Sequence, residues 1–231
     1  MHVLLWDIDG TLLTTARAGV FALTAAAQEV CGSEPDLDAL PTAGLTDAQV
    51  AALVVDACGH DPDDATVQRF LRVYERELPD RLSWRQGQVL PGVAENLAAL
   101  TARDDVVNLL LTGNTEAGAA AKLAHYGLDH FFPLGGAFCT DGGERAGMAR
   151  RAVALAAEHL GRAVDPDRTY VIGDTVHDIA CGQAIGARTV AVAFTHTAEE
   201  LADAWLVLDG LPEPEAFADA LGLSRDGSLS R

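Results

Sequence analysis

The stretch HVLLWDIDGT, residues 2–11, decides the fold. Its apolar run is nearly continuous, which is typical of a strand buried on both faces of a parallel sheet. The run ends in two acids, Asp7 and Asp9, that flank a single residue. Gly10 lets the backbone turn sharply and come close to a ligand. Asp-Gly is also a common turn dipeptide, so this stretch alone fits an acidic turn as well as a functional site.

Two later stretches repeat this form, at 106–112 and 169–174. Each is an apolar run that ends in a polar residue, as expected for strands buried in a parallel sheet. Helical patterns alternate with these strands, which predicts an α/β fold: a Rossmann-like parallel sheet with helices on both faces. The further predicted strands lie at 189–194 and 205–208, and the predicted helices lie at 93–102, 115–126, 146–160 and 178–185.

The interval from about Arg17 to Gln88 breaks this alternation, because it holds no convincing buried strand. Helical patterns at 20–30, 47–57 and 65–77 are too much helix for one crossover between strands. We therefore predict a small all-α domain inserted after the first strand. The predicted division is 1–16 and 89–223 for an α/β core, 17–88 for the helical domain and 224–231 for a flexible tail.

The composition limits which binding partners and which cellular compartment are expected. A net charge of −18 over 231 residues disfavours nucleic acid and anionic membranes, since both need a cationic face. No apolar run reaches the roughly 18 residues that span a bilayer. The start of the chain leads almost directly into a strand, so no cleaved signal peptide is expected. Four scattered cysteines favour reduced thiols in a cytoplasmic protein. The oligomeric state stays open.

Polar side chains follow the two later strands. Thr112, Gly113 and Asn114 bring together a hydroxyl, a bare backbone amide and a helix start, which suits a phosphate group. N-capping of the helix by Thr112 or Asn114 is the simpler alternative. Asp174 and Asp178 lie one helical turn apart, which directs both towards the mouth of the sheet. Asp178 also suits an ordinary helix start, where acids are favourable.

Ligands of open α/β sheets bind outside the carboxyl ends of the strands, so these groups are expected to meet. Carboxylates gathered at one place repel one another unless a cation lies between them. Oxygen-rich sites suit a hard divalent ion, and Mg²⁺ bridges carboxylates to phosphate. No His or Cys cluster competes, so zinc is not expected. The four carboxylates are those of Asp7, Asp9, Asp174 and Asp178.

These motifs, in this order, resemble those of the haloacid dehalogenase-like superfamily. Residues 7–11 match its DxDGT signature, 112–114 look like its second motif, and 173–178 match its GDxxxD motif. The inserted helical domain is similar to the superfamily's cap of the first type. The resemblance covers essentially the whole chain, and among the branches it looks most like the phosphoglycolate phosphatase-like hydrolases.

The third motif departs from the common form, which places a Lys before a helix. The only Lys of the chain, Lys122, lies on the helix just after the second motif, which is the wrong place for that cation. Arg145 precedes the helix that leads to the strand ending at Asp174, so we predict that it supplies the cation. Arg150 and Arg151 fall farther along this helix and are interpreted as surface charges. A guanidinium can bind two oxygens at once, so Arg145 is not equivalent to a Lys.

The resemblance implies a mechanism. Asp7 is the nucleophile that forms an aspartyl-phosphate, and the Asp9 side chain protonates the leaving oxygen and then activates water. Mg²⁺ is held by the Asp7 side chain, the Asp9 backbone carbonyl and Asp174, with Asp178 in support. Arg145 balances charge as a catalytic residue. The remaining implied residues contact the substrate, with Thr112 also counted as catalytic: Gly10, Thr112, Gly113 and Asn114.

The predicted function is that of a Mg²⁺-dependent phosphomonoester hydrolase acting on a small phosphorylated metabolite beneath a mobile cap, in the manner of phosphoglycolate phosphatases. A phosphomutase of the same superfamily stays open, because mutases share Asp9, and so does a non-catalytic binding or regulatory member. A dehalogenase is disfavoured, since dehalogenases lack that second acid. The substrate stays open as well. The segment 44–47 of the cap either faces the substrate or simply caps a helix at Thr46.

Overall fold

A parallel β-sheet lies at the centre of the molecule, and helices cover both of its faces. The computed structural model describes residues 1–42, 44–140, 144–194 and 196–223. The strands are β1 (His2–Trp6), β2 (Leu13–Thr14), β3 (Gln88–Val89), β4 (Val106–Leu111), β5 (Gly136–Ala137), β6 (Thr169–Gly173), β7 (Arg188–Val192) and β8 (Leu206–Leu208). The helices are α1 (Ala18–Cys31), α2 (Asp47–Ala57), α3 (Asp64–Leu82), α4 (Val93–Thr101), α5 (Glu116–Tyr126), α6 (Arg145–Leu160), α7 (Val176–Ala184) and α8 (Pro214–Ala220).

The sheet has the strand order β5-β4-β1-β6-β7-β8, and all of its strand pairs are parallel. β1 is central: its last residue, Trp6, lies opposite Leu110 of β4 and Ile172 of β6. The predicted α/β fold with a parallel sheet is therefore confirmed. This order also brings the carboxyl ends of β4, β1 and β6 side by side, so the chain segments that follow these three strands share one edge of the sheet.

Both faces of β1 are buried, which explains its continuous apolar run. Leu4 and Trp6 point to one face and pack within the cluster that includes residues of α4, α5 and α8. Val3 and Leu5 point to the opposite face, where they pack with residues of α6 and α7. Burial of a side chain of this kind stabilises a fold by roughly 1.5–3 kcal/mol. β1 is thus held firmly enough to fix the position of the residues that follow it.

The helices α1, α2 and α3 pack on one another and form a hydrophobic cluster separate from those of the sheet. Ala22 and Ala26 of α1 are small, which lets α3 approach closely, and Phe70 and Leu78 of α3 are fully buried in the cluster. The three helices predicted in this interval lie within α1, α2 and α3, and α3 runs on to Leu82. Their assignment to a separate domain stays a prediction, and the predicted tail lies outside the described residues.

Two short chain segments, which contain β2 and β3, connect these helices to the sheet. β2 and β3 pair as an antiparallel ribbon, with Leu13 opposite Val89. Between β2 and α1, Ala16 and Arg17 both adopt positive φ angles, of 48° and 75°. Such angles are uncommon for residues other than glycine, so the chain enters α1 through a tightly constrained turn. In the part of the chain that the structure describes, no helix has the length and apolarity needed to cross a membrane.

Candidate active site

Three carboxylates meet at the edge of the sheet where β1 and β6 end. Asp7 directly follows β1, Asp174 directly follows β6, and Asp178 lies in the first turn of α7. One oxygen from each lies within 4.8 Å of the others. Asp174 and Asp178 are buried. The sequence prediction placed four carboxylates together. The structure groups these three, whereas the carboxylate of Asp9 accepts hydrogen bonds from Asn114 and Lys122.

The electrostatics of this cluster favour a cation. Burial raises the pKa of Asp7 well above its ordinary value, and the nearby charges of Asp178, Asp9 and Asp174 raise it further. Burial also raises the pKa of Asp178, although its hydrogen bonds from Thr175 oppose this. These carboxylates are therefore costly to ionise together in the absence of a positive charge. Their oxygen-only donor set fits a hard divalent ion such as Mg²⁺.

Glycine is required where the two segments cross. Gly10 has a φ of 78°, and a Cβ at this position would lie 2.2 Å from Oδ2 of Asp174. Thr11 donates from its hydroxyl to Oδ1 of the same carboxylate at 3.3 Å. The DxDGT turn thus packs directly on Asp174. The stretch is therefore not an isolated acidic turn, because it forms one site with Asp174, the residue that follows β6.

Asp178 has two roles in the local structure. Its Oδ2 accepts hydrogen bonds from the backbone N–H and the hydroxyl of Thr175, at 3.0 and 2.7 Å, which completes a capping box at the start of α7. Its Oδ1 lies 3.7 Å from Nη1 of Arg145. Asp178 therefore does stabilise the start of a helix, which was the simpler alternative for this residue. The same side chain also belongs to the carboxylate cluster.

The second motif lies beside Asp9 rather than at the cap of a helix. The N-cap of α5 is Thr115, so neither Thr112 nor Asn114 caps that helix. Instead, Nδ2 of Asn114 donates to Oδ2 of Asp9 and to Oγ1 of Thr112, each at 2.8 Å. Because Thr112 accepts this bond, its own hydroxyl proton is left to donate to a ligand. Thr112 and Asn114 are both buried.

Lys122 contacts Asp9 and Asn114, whereas the sequence interpretation considered it only as misplaced for the third-motif cation. Its Nζ donates to Oδ2 of Asp9 at 2.6 Å and to Oδ1 of Asn114 at 2.5 Å. Its side chain is only 5% exposed. Helical periodicity could have found it: Lys122 comes two turns after the start of α5, on the helix face that returns to the sheet edge. The motifs at 7–11, 112–114 and 173–178 do not include Lys122, so the resemblance does not indicate its contact with Asp9.

Arg145, the predicted third-motif cation, is the first residue of α6. It reaches the carboxylate cluster through its Nη1, which lies 3.7 Å from Oδ1 of Asp178. Its Nη2 donates to the backbone carbonyl of Gly44 at 2.5 Å. Arg150 and Arg151 are exposed, as surface charges should be. The catalytic role of Arg145 stays a prediction.

Residues of the α1–α3 segment also reach this edge of the sheet. Asp47, at the start of α2, donates from its backbone N–H to the carbonyl of Gly113 at 2.8 Å, and its carboxylate accepts from the N–H of Thr115 at 2.8 Å. Burial raises the pKa of Asp47 to about 6, against the opposing attraction of Lys122. Thr46 does cap α2, with Gln49 completing a capping box. The sequence interpretation considered Asp47 only as part of the segment 44–47 and did not predict its contacts with the second motif.

Comparison with known proteins places this site in a family. The model of the haloacid dehalogenase-like hydrolases matches residues 1–186. A protein of Dickeya dadantii named Probable phosphatase IndB is 28% identical over 229 residues, which span 95% of this chain and 94% of that protein. Tyrosine-protein kinase PtkA of Mycobacterium tuberculosis is 27% identical over 203 residues, which are 87% of this chain and 65% of the kinase.

Solved structures show the same fold. The structure of CbbY from Rhodobacter sphaeroides in complex with phosphate has a TM-score of 0.72 to this chain, with 18% identity, and the match covers 91% of this chain and 95% of that one. An identity this low supports the fold rather than the activity.

Proposed function

The chain belongs to the haloacid dehalogenase-like hydrolases, and we propose that it is a Mg²⁺-dependent phosphomonoester hydrolase that works through an aspartyl-phosphate on Asp7. The observation that carries this proposal is the meeting of Asp7, Asp174 and Asp178 at the carboxyl edge of the sheet. Asp9 lies two residues after the proposed nucleophile, Asp7. A phosphorylated metabolite of small size is the proposed substrate, with phosphoglycolate as one candidate.

The residues that would hold Mg²⁺ are the carboxylates of Asp7 and Asp174 and the backbone carbonyl of Asp9, with Asp178 in support. The acid-rich donor set suits this ion, and the raised pKa values of Asp7 and Asp178 reflect burial and repulsion that a cation relieves. When bound, Mg²⁺ supplies positive charge that offsets repulsion between the carboxylates and an incoming phosphate.

Asp7 and Asp9 have different roles in the reaction: Asp7 is the nucleophile, and Asp9 is the acid and base. A carboxylate oxygen of Asp7 forms a bond to phosphorus while the bond from phosphorus to the leaving oxygen breaks. Asp9 gives its proton to that leaving oxygen, which departs as an alcohol. Asp9 then takes a proton from water, and the oxygen of that water bonds to phosphorus. The bond between phosphorus and Asp7 breaks, so phosphate leaves and the Asp7 carboxylate is restored.

The phosphoryl oxygens are held by groups at the ends of β1 and β4. The free hydroxyl proton of Thr112 and the backbone N–H groups of Gly10, Gly113 and Asn114 are the proposed donors. Arg145 balances charge from the opposite side, beside Asp178. Donors fixed in advance by burial and hydrogen bonding are effective, because they need no reorganisation when charge develops on the reacting oxygens.

Two similar proteins bear on the choice of reaction. The name of IndB is that of a phosphatase, and CbbY was solved with phosphate; both agree with phosphoester hydrolysis. PtkA is named as a tyrosine kinase, which would mean transfer of a phosphoryl group to a protein instead of to water. A phosphomutase, which returns the phosphoryl group to the substrate, would use the same pair of Asp7 and Asp9.

Phosphate release separates these reactions. Purified protein is incubated with a panel of phosphomonoesters, with and without Mg²⁺, beside the Asp7→Asn variant. A phosphatase releases inorganic phosphate from one or more esters only with the metal, and the variant releases none. Isomerisation of a sugar phosphate without net phosphate release would indicate a mutase. Transfer from ATP to tyrosine without ester hydrolysis would indicate a kinase, and either result would overturn the proposal.

A further inference from the structure

We propose that Lys122 is the positioning residue of Asp9: it holds one carboxylate oxygen of Asp9 so that the other is presented for proton transfer. This inference rests on the proposed function, because it gives Asp9 the role of acid and base. It concerns a residue that the motifs of the sequence do not include. Lys122 acts through Asp9 and is not proposed to contact the reacting phosphoryl group.

Among the residues that the structure describes, the side-chain hydrogen bonds to the Asp9 carboxylate fall on one of its oxygens. Oδ2 accepts from Nζ of Lys122 at 2.6 Å and from Nδ2 of Asn114 at 2.8 Å. An ammonium and an amide NH₂ can only donate, so Oδ2 must act as an acceptor in both bonds. When Asp9 carries a proton, that proton therefore belongs on Oδ1. The network thus distinguishes the two oxygens and makes Oδ1 the one that exchanges a proton with substrate or water.

The orientation of Asn114 follows from the same lysine. Nζ of Lys122 donates to Oδ1 of Asn114 at 2.5 Å, which leaves the amide nitrogen to face Asp9 and Thr112. If the amide were reversed, its NH₂ would face the ammonium, and two donors would oppose each other. Lys122 therefore fixes the direction of the hydrogen bonds through Asn114 as well as its own bond to Asp9.

The ammonium is charged although it is buried. Its Nζ lies within hydrogen-bond distance of a carboxylate oxygen of Asp9 and of the amide oxygen of Asn114. A buried cation is expensive unless it is paired and hydrogen-bonded. Here the pairing with Asp9 and Asn114 meets that condition. The Asp9 side chain is 45% exposed, so without Lys122 it would have few constraints on its position.

The presence of Lys rather than Arg at position 122 agrees with the geometry of these contacts. The chain has 16 Lys and Arg residues, of which Lys122 is the only Lys, so 16 − 1 = 15 are Arg. At this position a compact ammonium contacts two oxygens from different residues at a single point, whereas a planar guanidinium spreads its donors over a wider fork. A buried site of this shape therefore suits Lys and excludes the cation that the chain uses everywhere else.

The test compares two substrates that differ in their need for an acid. An alkyl phosphate needs its leaving oxygen protonated, whereas 4-nitrophenyl phosphate does not, because nitrophenolate is a good leaving group. For Lys122→Met, kcat/KM for the alkyl ester should fall by about a hundredfold, since a misplaced acid loses its effective concentration. Formation of nitrophenolate in the first turnover should change by less than about threefold.

The second half of the reaction gives an independent readout. Hydrolysis of the aspartyl-phosphate needs Asp9 as a base for either substrate, so that step should become rate-limiting in Lys122→Met. A burst of nitrophenolate that approaches one per enzyme, followed by slow turnover, is the expected result. Because the burst counts folded enzyme with a working nucleophile, it also shows that the variant is intact. His125→Met, at an exposed position on the same helix, is the matched control and should behave as wild type.

Three results would overturn the inference. Equal loss on both substrates without a burst means that Lys122 is merely structural, and a rise in KM for both with kcat unchanged means that it contacts the substrate. Activity of Lys122→Met equal to wild type removes any role. If Lys122→Met does not fold, Lys122→Met/Asp47→Asn, which removes both buried charges, takes its place. Absence of any ester turnover by the wild-type protein is a different outcome, because it refutes the proposed function itself.

Discussion

The carboxylate of Asp47, at the start of α2, accepts a 2.8 Å hydrogen bond from the backbone N–H of Thr115, at the start of α5. The backbone N–H of Asp47 donates to the carbonyl of Gly113 in the second motif. The helical segment is thus joined to the segment that follows β4 by two hydrogen bonds from one residue. Closure of a cap over that loop, as the resemblance implies, would make and break these bonds.

Asp47 should make the stability of the protein depend on pH. Its folded-state pKa is raised to about 6 by burial, above the ordinary value near 3.9. The folded protein therefore binds the proton more tightly than the unfolded chain between these values. The resulting stabilisation is fully present below about pH 4 and is lost as the pH rises through 6, an effect of about 1–3 kcal/mol.

The variant Asp47→Asn isolates this effect, because an amide oxygen can still accept the bond from Thr115. Urea unfolding at pH 4 and pH 7.5 measures the difference. We expect the stability of Asp47→Asn relative to wild type to increase from pH 4 to pH 7.5, with most of the increase between about pH 4 and pH 6 and little change above pH 6. A relative stability that stays constant, or that decreases over this interval, would contradict the account of Asp47.

Gly44 should tolerate no side chain. Its φ is 71°, and a Cβ would lie 2.2 Å from Cδ2 of His177. Gly44→Ala should therefore displace the loop, break its bond to Arg145 and lower kcat/KM by about tenfold, as expected when positioning is disturbed without removal of a reacting group. His177→Ala in the Gly44→Ala background removes the collision but leaves the backbone strain, so it should restore only part of the activity.

Steady-state kinetics of the two variants and of His177→Ala alone provide the measurement. Gly44→Ala with the activity of wild type would show that contact between this loop and the core has no part in turnover.

Arg145→Ala should lower kcat/KM by roughly a hundredfold or more, because a charge-assisted contact near the reacting phosphoryl group is removed. Arg145→Lys should recover part of the loss, since charge returns without the planar fork. Arg150→Ala and Arg151→Ala remove exposed charges from the same helix and serve as controls. Essential Arg150 or Arg151 with a dispensable Arg145 would show that the third motif has been misplaced.

Activity should depend on a divalent cation. Treatment with EDTA should abolish phosphate release, and Mg²⁺ should restore it, because the buried carboxylates of Asp7, Asp174 and Asp178 repel one another when ionised. Ca²⁺ should restore it poorly, since Ca²⁺ favours higher coordination numbers and longer bonds. Assays across a series of metal concentrations provide the measurement. Full activity in protein shown to be free of metal would refute this prediction.

Much of the fold could be predicted from strand ends. The apolar run before Asp7 predicts a strand that is buried on both faces, and helices do cover both faces of that strand. The same is true of the strand before Asp174. Contacts between segments that are distant in the sequence were harder to predict. Asp47 and Thr115 are 68 residues apart, and no local pattern distinguishes an acid at a helix start that also bonds to a distant segment from one that does not.

Lys122 shows a different failure. Its position two turns into α5 was readable from helical periodicity, but the identity of its partners was not, because that depends on how α5 lies against the turn after β1. Asp178 shows the opposite case: both of the roles considered for it from the sequence are present in the structure, since one oxygen caps α7 and the other approaches Arg145. Alternatives at one residue need not exclude each other.

Trapping of the covalent intermediate tests the central claim most directly. In Asp9→Asn the base for hydrolysis is absent, while 4-nitrophenyl phosphate can still react because its leaving group needs no acid. Acid quenching during turnover, followed by mass spectrometry with fragmentation, locates the label. The account predicts one phosphoryl group, on Asp7. A phosphoryl group on any other residue, or phosphate release by folded Asp7→Asn within tenfold of wild type, would contradict it.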